Sequence, residues 1–224
     1  MILTLTESQH VADNVWRFSF APKHPVSWRA GQFIRLEVPH TAPDASGTLR
    51  WFTISAAPFE KNLTVTTRLS QSSFKRALMK LKVGDQAALV EQPAGDFVWR
   101  TANSPRLFAA QGIGITPFYA IIKDRLHHRL PIQATLIYAH QPGSTPIYGS
   151  ELQAWAKLDP TLKLIEFTGT LQAADIAGLV PNFSLYYVYV SGPKSFLRLS
   201  LPPHALPLNQ LKQDNFPGYS AAQY

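Results

Sequence analysis

The sequence predicts a β domain followed by an α/β domain: a small antiparallel barrel, then a parallel sheet wound with helices. Three observations carry this. Between Ile2 and Val90, short runs alternate apolar and polar residues or are rich in β-branched and aromatic ones. From Leu107 onward, strand-like runs take turns with helix-like ones, the grammar of βαβ units. A chain of 224 residues, 46% of them apolar, is long enough and apolar enough to bury two cores. The boundary is expected near Ala102–Ser104, giving domains of residues 1–102 and 103–224.

In the first domain the expected strands are Ile2 to Thr6, Val15 to Phe20, Phe33 to Val38, Trp51 to Ile54, Leu63 to Leu69 and Gln86 to Val90. Turn chemistry separates them: Pro22–Pro25, Ala30–Gly31, the Pro43–Gly47 loop and Gly84–Asp85. One helix is expected between Ser73 and Leu81, with Ser72 or Ser73 as N-cap and Phe74, Ala77, Leu78 and Leu81 on one face. Closely spaced strands with a single helix suggest a closed sheet.

In the second domain, the strand Leu107–Ala110 leads through Gly112–Ile113–Gly114 into a helix from Pro117 to His128. Then come Ile132–Tyr138, a helix around Glu151–Ala156, the strand Leu162–Phe167, a helix near Ala173–Leu179 and the strand Leu185–Val190. No internal repeat or low-complexity tract interrupts the pattern.

Composition removes several chemistries. There are no cysteines, which excludes disulfides, thiolate zinc sites, cysteine-held iron–sulfur clusters and cysteine nucleophiles within the chain. The formal charge of +7 favours an acidic partner or a polyanionic ligand, but the Lys and Arg residues are scattered. With no basic run interleaved with aromatics, nucleic acid is not expected as a partner. No apolar stretch reaches the roughly 20 residues of a membrane helix, and Glu7 and Asp13 are out of place in a signal peptide. A cytoplasmic protein without membrane insertion is the expectation.

Five short constellations can carry chemistry. In Ala109 to Pro117, a strand enters a turn with two glycines, and Thr116–Pro117 open a helix whose first N–H groups are free for phosphate. The plain alternative is an ordinary βα turn, and Pro117 stands where a Rossmann fingerprint would have its third glycine. In Arg50–Trp51–Phe52–Thr53, a spacing of two puts arginine and phenylalanine on one face of a strand. There a guanidinium can hold a pyrophosphate beside a planar ring; otherwise the aromatics are core and the arginine is surface. Ser72–Ser73 at a helix start is either a phosphate site or simple capping. Ser191–Gly192–Pro193 closes the last expected parallel strand, where α/β sheets bind ligands. Asp214 to Tyr219 places Phe216 and Tyr219 in the tail, as exposed aromatics or as packing of a terminal strand.

All five in this order resemble the ferredoxin–NADP reductase family in the broad sense, which includes flavodoxin reductases and the reductase modules of oxygenases. In that family Arg-x-Tyr/Phe-Ser/Thr binds flavin, Gly-x-Gly-Ile-Thr-Pro binds the nicotinamide dinucleotide and Cys-Gly-Pro closes the nicotinamide site. Gly31–Gln32–Phe33 and Glu91 to Phe97 are similar to two further family segments. The resemblance implies an antiparallel flavin-binding β-barrel followed by a doubly wound parallel-sheet nucleotide-binding domain.

It also implies roles. Arg50 pairs with the FAD pyrophosphate, Phe52 with neighbouring Trp51 lies at the isoalloxazine, and Thr53 bonds near N5. Ser72 or Ser73 caps the helix that receives the pyrophosphate. Gly112, Gly114, Thr116 and Pro117 line the site for NADH or NADPH, and Ser191, Gly192 and Pro193 border the nicotinamide. Phe216 or Tyr219 shields the flavin. Thr53, Ser191 and Phe216 then stand nearest the hydride transfer, and no metal is implied. Phe52 and Ser191 depart from the commoner tyrosine and cysteine. The implied activity is hydride transfer from NAD(P)H to FAD, with electrons passing to a separate acceptor: an acidic protein such as ferredoxin or flavodoxin, or a small molecule. Rival readings are a free-flavin or ferric-chelate reductase and a non-catalytic flavin- or nucleotide-binding subunit. The loop Ala139 to Ser144 lacks an arginine for a 2′-phosphate, which favours NADH.

Overall fold

The computed structural model describes residues 1–101, 104–199 and 210–214, in two compact units that part between Val98 and Trp99. The first unit holds β1 (Ile2–Ala12), β2 (Val15–Pro22), β3 (Phe33–Glu37), β4 (Leu49–Thr53), β5 (Leu63–Arg68) and β6 (Gln86–Leu89). They form one antiparallel sheet in the order β4-β3-β6-β1-β2-β5. Its two edges meet: Ile54 bridges Val65, and the Ser55 amide donates to the Thr64 carbonyl at 2.8 Å. The sheet is therefore closed, and closure removes the exposed strand edge.

Alternating residues of these strands point inward and make one core from Leu3, Phe18, Phe20, Ile34, Leu36, Phe52, Ile54 and Val65. Helix α1 (Ser73–Lys80) adds Phe74 and Leu78, one turn apart on one face. Ser72 is its N-cap, accepting from the Lys75 amide at 3.3 Å. Strand β1 runs six residues past the expected Thr6, to Ala12. Glu7 to His10 are exposed there, so they show no apolar alternation, and only their pairing with β2 holds them extended.

The second unit alternates β7 (Arg106–Gln111), α2 (Thr116–His127), β8 (Ala134–His140), α3 (Gly149–Leu158), β9 (Leu162–Thr168), α4 (Ala173–Leu179), β10 (Tyr187–Ser191), α5 (Lys194–Leu199) and β11 (Leu211–Gln213). All strand pairs are parallel, in the order β11-β10-β7-β8-β9. Leu107 and Ala109 face a cluster with Ile176, Val180 and Phe196 of the α4–α5 side. Phe108, one residue out of phase, stacks on Phe118 of α2 with ring centroids 4.8 Å apart. Helices thus cover both faces, which defines a doubly wound sheet.

The chain winds outward from β7 through β8 to β9, then crosses back so that β10 lies on the other side of β7. That reversal makes a topological switch point between the carboxyl ends of β7 and β10, where open α/β sheets form their ligand crevice.

Candidate functional sites

In the barrel, Arg50 and Phe52 sit on the same face of β4, opposite Leu36 and Ile34 of β3. Arg50 is 7% exposed and lies over the Phe74 ring at 5.2 Å, while Phe52, 8% exposed, tilts against the same ring at 5.7 Å. The guanidinium is surrounded by acceptors. It donates to the carbonyls of Ser46 at 2.8 Å, Gly47 at 3.0 Å and Leu49 at 2.7 Å, and to Asp44 Oδ1 at 3.1 Å.

Asp44 in turn closes the start of α1. Its Oδ2 accepts from the Ser73 amide at 2.8 Å, and its own amide donates to Ser73 Oγ at 2.9 Å. His40 Nε2 lies 3.0 Å from the same hydroxyl. The Ser73 amide, its hydroxyl, the Ser46 amide and Arg50 hold the Asp44 carboxyl down at about 2, against a smaller opposite pull from its partial burial. Lys75, two residues on, is pushed down to about 8 by burial and by the charges of Arg50 and Arg68. Arg50 and the start of α1 therefore share one carboxylate, with a second basic side chain, Lys75, near enough to Arg50 to feel its charge. That surplus of positive charge suits an anion carrying more than one charge.

Trp51 and Thr53 occupy the opposite face of β4. Trp51 meets Phe33 edge-on at 5.2 Å and carries the Arg35 guanidinium over its ring at 5.3 Å. Thr53 is buried opposite Phe33. Gly31–Gln32–Phe33 and the Glu91 to Phe97 segment are joined directly: Phe33 and Ala94 exchange backbone bonds, and Gln32 Nε2 donates to the Gly95 carbonyl at 3.2 Å.

In the α/β unit, β7 ends at Gln111 and turns through Gly112–Ile115, a 3₁₀ turn that runs into α2. Gly112 takes a left-handed φ of +57°. Gly114 has a different reason to be glycine: a Cβ there would stand 2.2 Å from the Ser191 carbonyl oxygen and 2.6 Å from the Gly192 nitrogen. The turn is packed main chain to main chain on the end of β10. Thr116 Oγ1 donates to the Ile113 carbonyl at 3.1 Å, and Pro117 follows in the first turn of α2, where no N–H is missed. Ser191 is 1% exposed, and its hydroxyl donates to Asp214 Oδ2 at 3.0 Å. Gly192 lies against Gln111 and Phe196.

The structure thus brings Gly112, Gly114, Thr116, Ser191 and Gly192 together at the switch point, with Pro193 directly after. It brings Arg50, Phe52, Ser72 and Ser73 together around the start of α1, and sets Trp51 and Thr53 on the other face of the strand. Phe216 and Tyr219 lie outside the described residues. Asp44, His40 and Lys75 were not foreseen as site residues, nor were Gln111 and Asp214. Asp44 lies in the Pro43–Gly47 loop, and a single acidic residue in such a loop has no spacing that predicts its partner. Among the described residues no group of three or more His, Cys, Asp or Glu could hold a metal ion, and no helix is long and apolar enough to cross a membrane.

Residues 108–199 match the family model described as the oxidoreductase NAD-binding domain. The ferredoxin reductase component of 3-ketosteroid-9-alpha-monooxygenase from Rhodococcus rhodochrous is 27% identical over 179 residues, covering 76% of this chain and 50% of that protein. Ferredoxin–NADP+ reductase from Plasmodium falciparum superposes with a TM-score of 0.79 at 14% identity, covering 96% of this chain and 95% of that one. The chain has the fold of ferredoxin–NADP+ reductase. The flavohem-like FAD/NAD binding domain of nitric oxide dioxygenase from Vibrio cholerae O1 biovar El Tor has the same fold, with a TM-score of 0.76 at 19% identity over 95% of this chain and 97% of that one. The chain spans about half the length of the curated relatives it matches.

Proposed function

We propose that the chain is a flavin oxidoreductase that takes hydride from NADH or NADPH onto bound FAD and passes electrons to a separate acceptor. The observation that carries this reading is the presence, in one chain, of two anion-ready sites of different build. One is the buried Arg50 guanidinium converging with the start of α1 on a carboxylate. The other is the glycine turn laid on the end of β10 at the switch point. The similarity to a ferredoxin reductase component and to an FAD/NAD binding domain supports the same pairing of cofactors.

The barrel cradle fits a flavin phosphate, because its donors already converge on an anion. Arg50 would give that phosphate a charge-assisted bond, and the Ser72–Ser73 helix start would add N–H donors. Of the β4 residues assigned to the ring end, Phe52 shares the Arg50 face, while Trp51 and Thr53 carry their side chains on the other. Gly112, Gly114, Thr116 and Pro117 would seat the dinucleotide, with Ser191, Gly192 and Pro193 beside the nicotinamide and Phe216 or Tyr219 covering the flavin. Residues 1–102 are assigned to FAD and 103–224 to NAD(P)H. When bound, the flavin supplies acceptance of two electrons from nicotinamide and their release one at a time. The side chains orient and exclude water, and none needs to act as a strong acid or base.

The acceptor we assign is an acidic carrier protein, steered by the formal charge of +7. Such steering weakens as salt screens it, so carrier reduction should fall faster with ionic strength than ferricyanide reduction does. A parallel fall would favour a small-molecule acceptor. The cofactor assignment is tested by releasing and identifying bound flavin. FAD is expected; protein that is colourless and takes up neither FAD nor FMN would contradict the reading.

A further inference from the structure

The flavin reading leaves one feature of the barrel unexplained: the cradle is closed by the chain itself. Asp44 reaches both halves of it at once, Arg50 through Oδ1 at 3.1 Å and the Ser73 amide through Oδ2 at 2.8 Å. These are the two donors a phosphate would need. The loop that carries Asp44 is stitched down further by Asp44 N to Ser73 Oγ at 2.9 Å and by Ser46 and Gly47 carbonyls on the guanidinium. Unlike Arg50, Asp44 is not sealed in; its side chain keeps 36% of its surface exposed. A lever of this kind can swing outward without breaking the core.

We propose that Asp44 is an internal anion that occupies the phosphate cradle and must leave it before a flavin pyrophosphate can enter. The inference rests on the flavin reading for its ligand but not for its mechanics. A carboxylate and a phosphate cannot share donors at this distance, since both are acceptors and both are negative. Lys75, pushed down first by burial and then by the charges of Arg50 and Arg68, adds a further positive group beside Arg50. The loop therefore acts as a gate, and apparent flavin affinity is lowered by the fraction of time the gate is shut.

The test uses flavin-free protein as wild type, Asp44→Asn and Asp44→Ala, with two probes: FAD, followed by fluorescence quenching, and inorganic pyrophosphate, followed by calorimetry. Both variants should bind both probes more tightly, by roughly tenfold or more, as expected when a competing closed state is removed. Folded variants that bind both probes as wild type does, or more weakly, would overturn the proposal and make Asp44 a plain helix cap. If no protein takes FAD but the variants gain affinity for pyrophosphate, the gate stands and the flavin reading falls. Should both variants fail to fold, wild type alone decides. Its FAD association rate should level off with concentration if opening comes first, and an unbroken linear rise would overturn the gate.

Discussion

The two candidate sites are built in opposite ways. At the switch point of the α/β unit the working groups are backbone, placed by a local run, Gln111 to Pro117, and by the end of one neighbouring strand. In the barrel the charged groups are side chains, Asp44 in a loop and Arg50 six residues on in β4, and they meet the amide and hydroxyl of Ser73 from the distant start of α1. Backbone sites are rigid and legible; side-chain sites are adjustable and can be occupied by the protein's own groups. Under the proposed function, one demand, holding a phosphate, would be met once by shape and once by charge.

The largest expected effect breaks the shape side. Gly114→Ala forces a Cβ into the Ser191 carbonyl at 2.2 Å, and main chain on both sides leaves little room to give. A loss of about 3 kcal/mol in denaturant unfolding is expected, with loss of dinucleotide binding. Gly112→Ala meets no atom within 4 Å and bears only the strain of its positive φ, so about 1 kcal/mol is expected. Equal effects at the two glycines would mean that the close approach to β10 does not constrain the turn.

On the charge side, Arg50→Ala should weaken flavin binding by about 1.5–3 kcal/mol, the scale of a hydrogen bond to a charged group. Titration of the variant with FAD measures it directly, and an unchanged affinity would detach Arg50 from the cofactor. A smaller loss, about 1 kcal/mol of stability, is expected for Ser191→Ala, which leaves Asp214 Oδ2 without its hydroxyl donor. Thermal unfolding that matches wild type would show that this bond is not formed in solution.

Much of this was legible and part was not. Helix α4 has the expected limits Ala173–Leu179, because its ends carry local signals: Gln172 and Asp175 form a capping box at the start. The order of strands and helices in the α/β unit was also legible, since buried parallel strands are nearly continuous apolar runs. Strand β8 was expected from Ile132 but begins at Ala134, as Ile132 is buried without joining the ladder. Strand β11, three half-buried residues held parallel to β10, has no pattern of its own to read. The glycine turn was legible because the geometry is written in consecutive residues. The Asp44–Arg50 pair was not, because a loop residue's partner is set by how β4 and α1 pack, and nothing in the spacing encodes that.

The smallest expected effect concerns the same pair. The folded Asp44 carboxyl is lowered from the ordinary 3.8 to about 2, so its contribution to stability is fully present above the unfolded value and is lost as pH falls through about 2. Stability of wild type relative to Asp44→Asn should therefore be constant near neutrality and shrink in that acid window. A difference that stays flat down to about pH 2 would show that the carboxylate gains nothing from Ser73 and Arg50.

The central claim, that this chain moves hydride from a nicotinamide to a flavin, is tested most directly by anaerobic mixing of the FAD-loaded protein with NADH or NADPH. The account predicts that the visible flavin band bleaches within the mixing experiment and returns when an electron acceptor is added. A flavin that binds but keeps its full absorbance with both nucleotides would contradict it, and would leave the chain as a flavin-binding subunit without reductase activity.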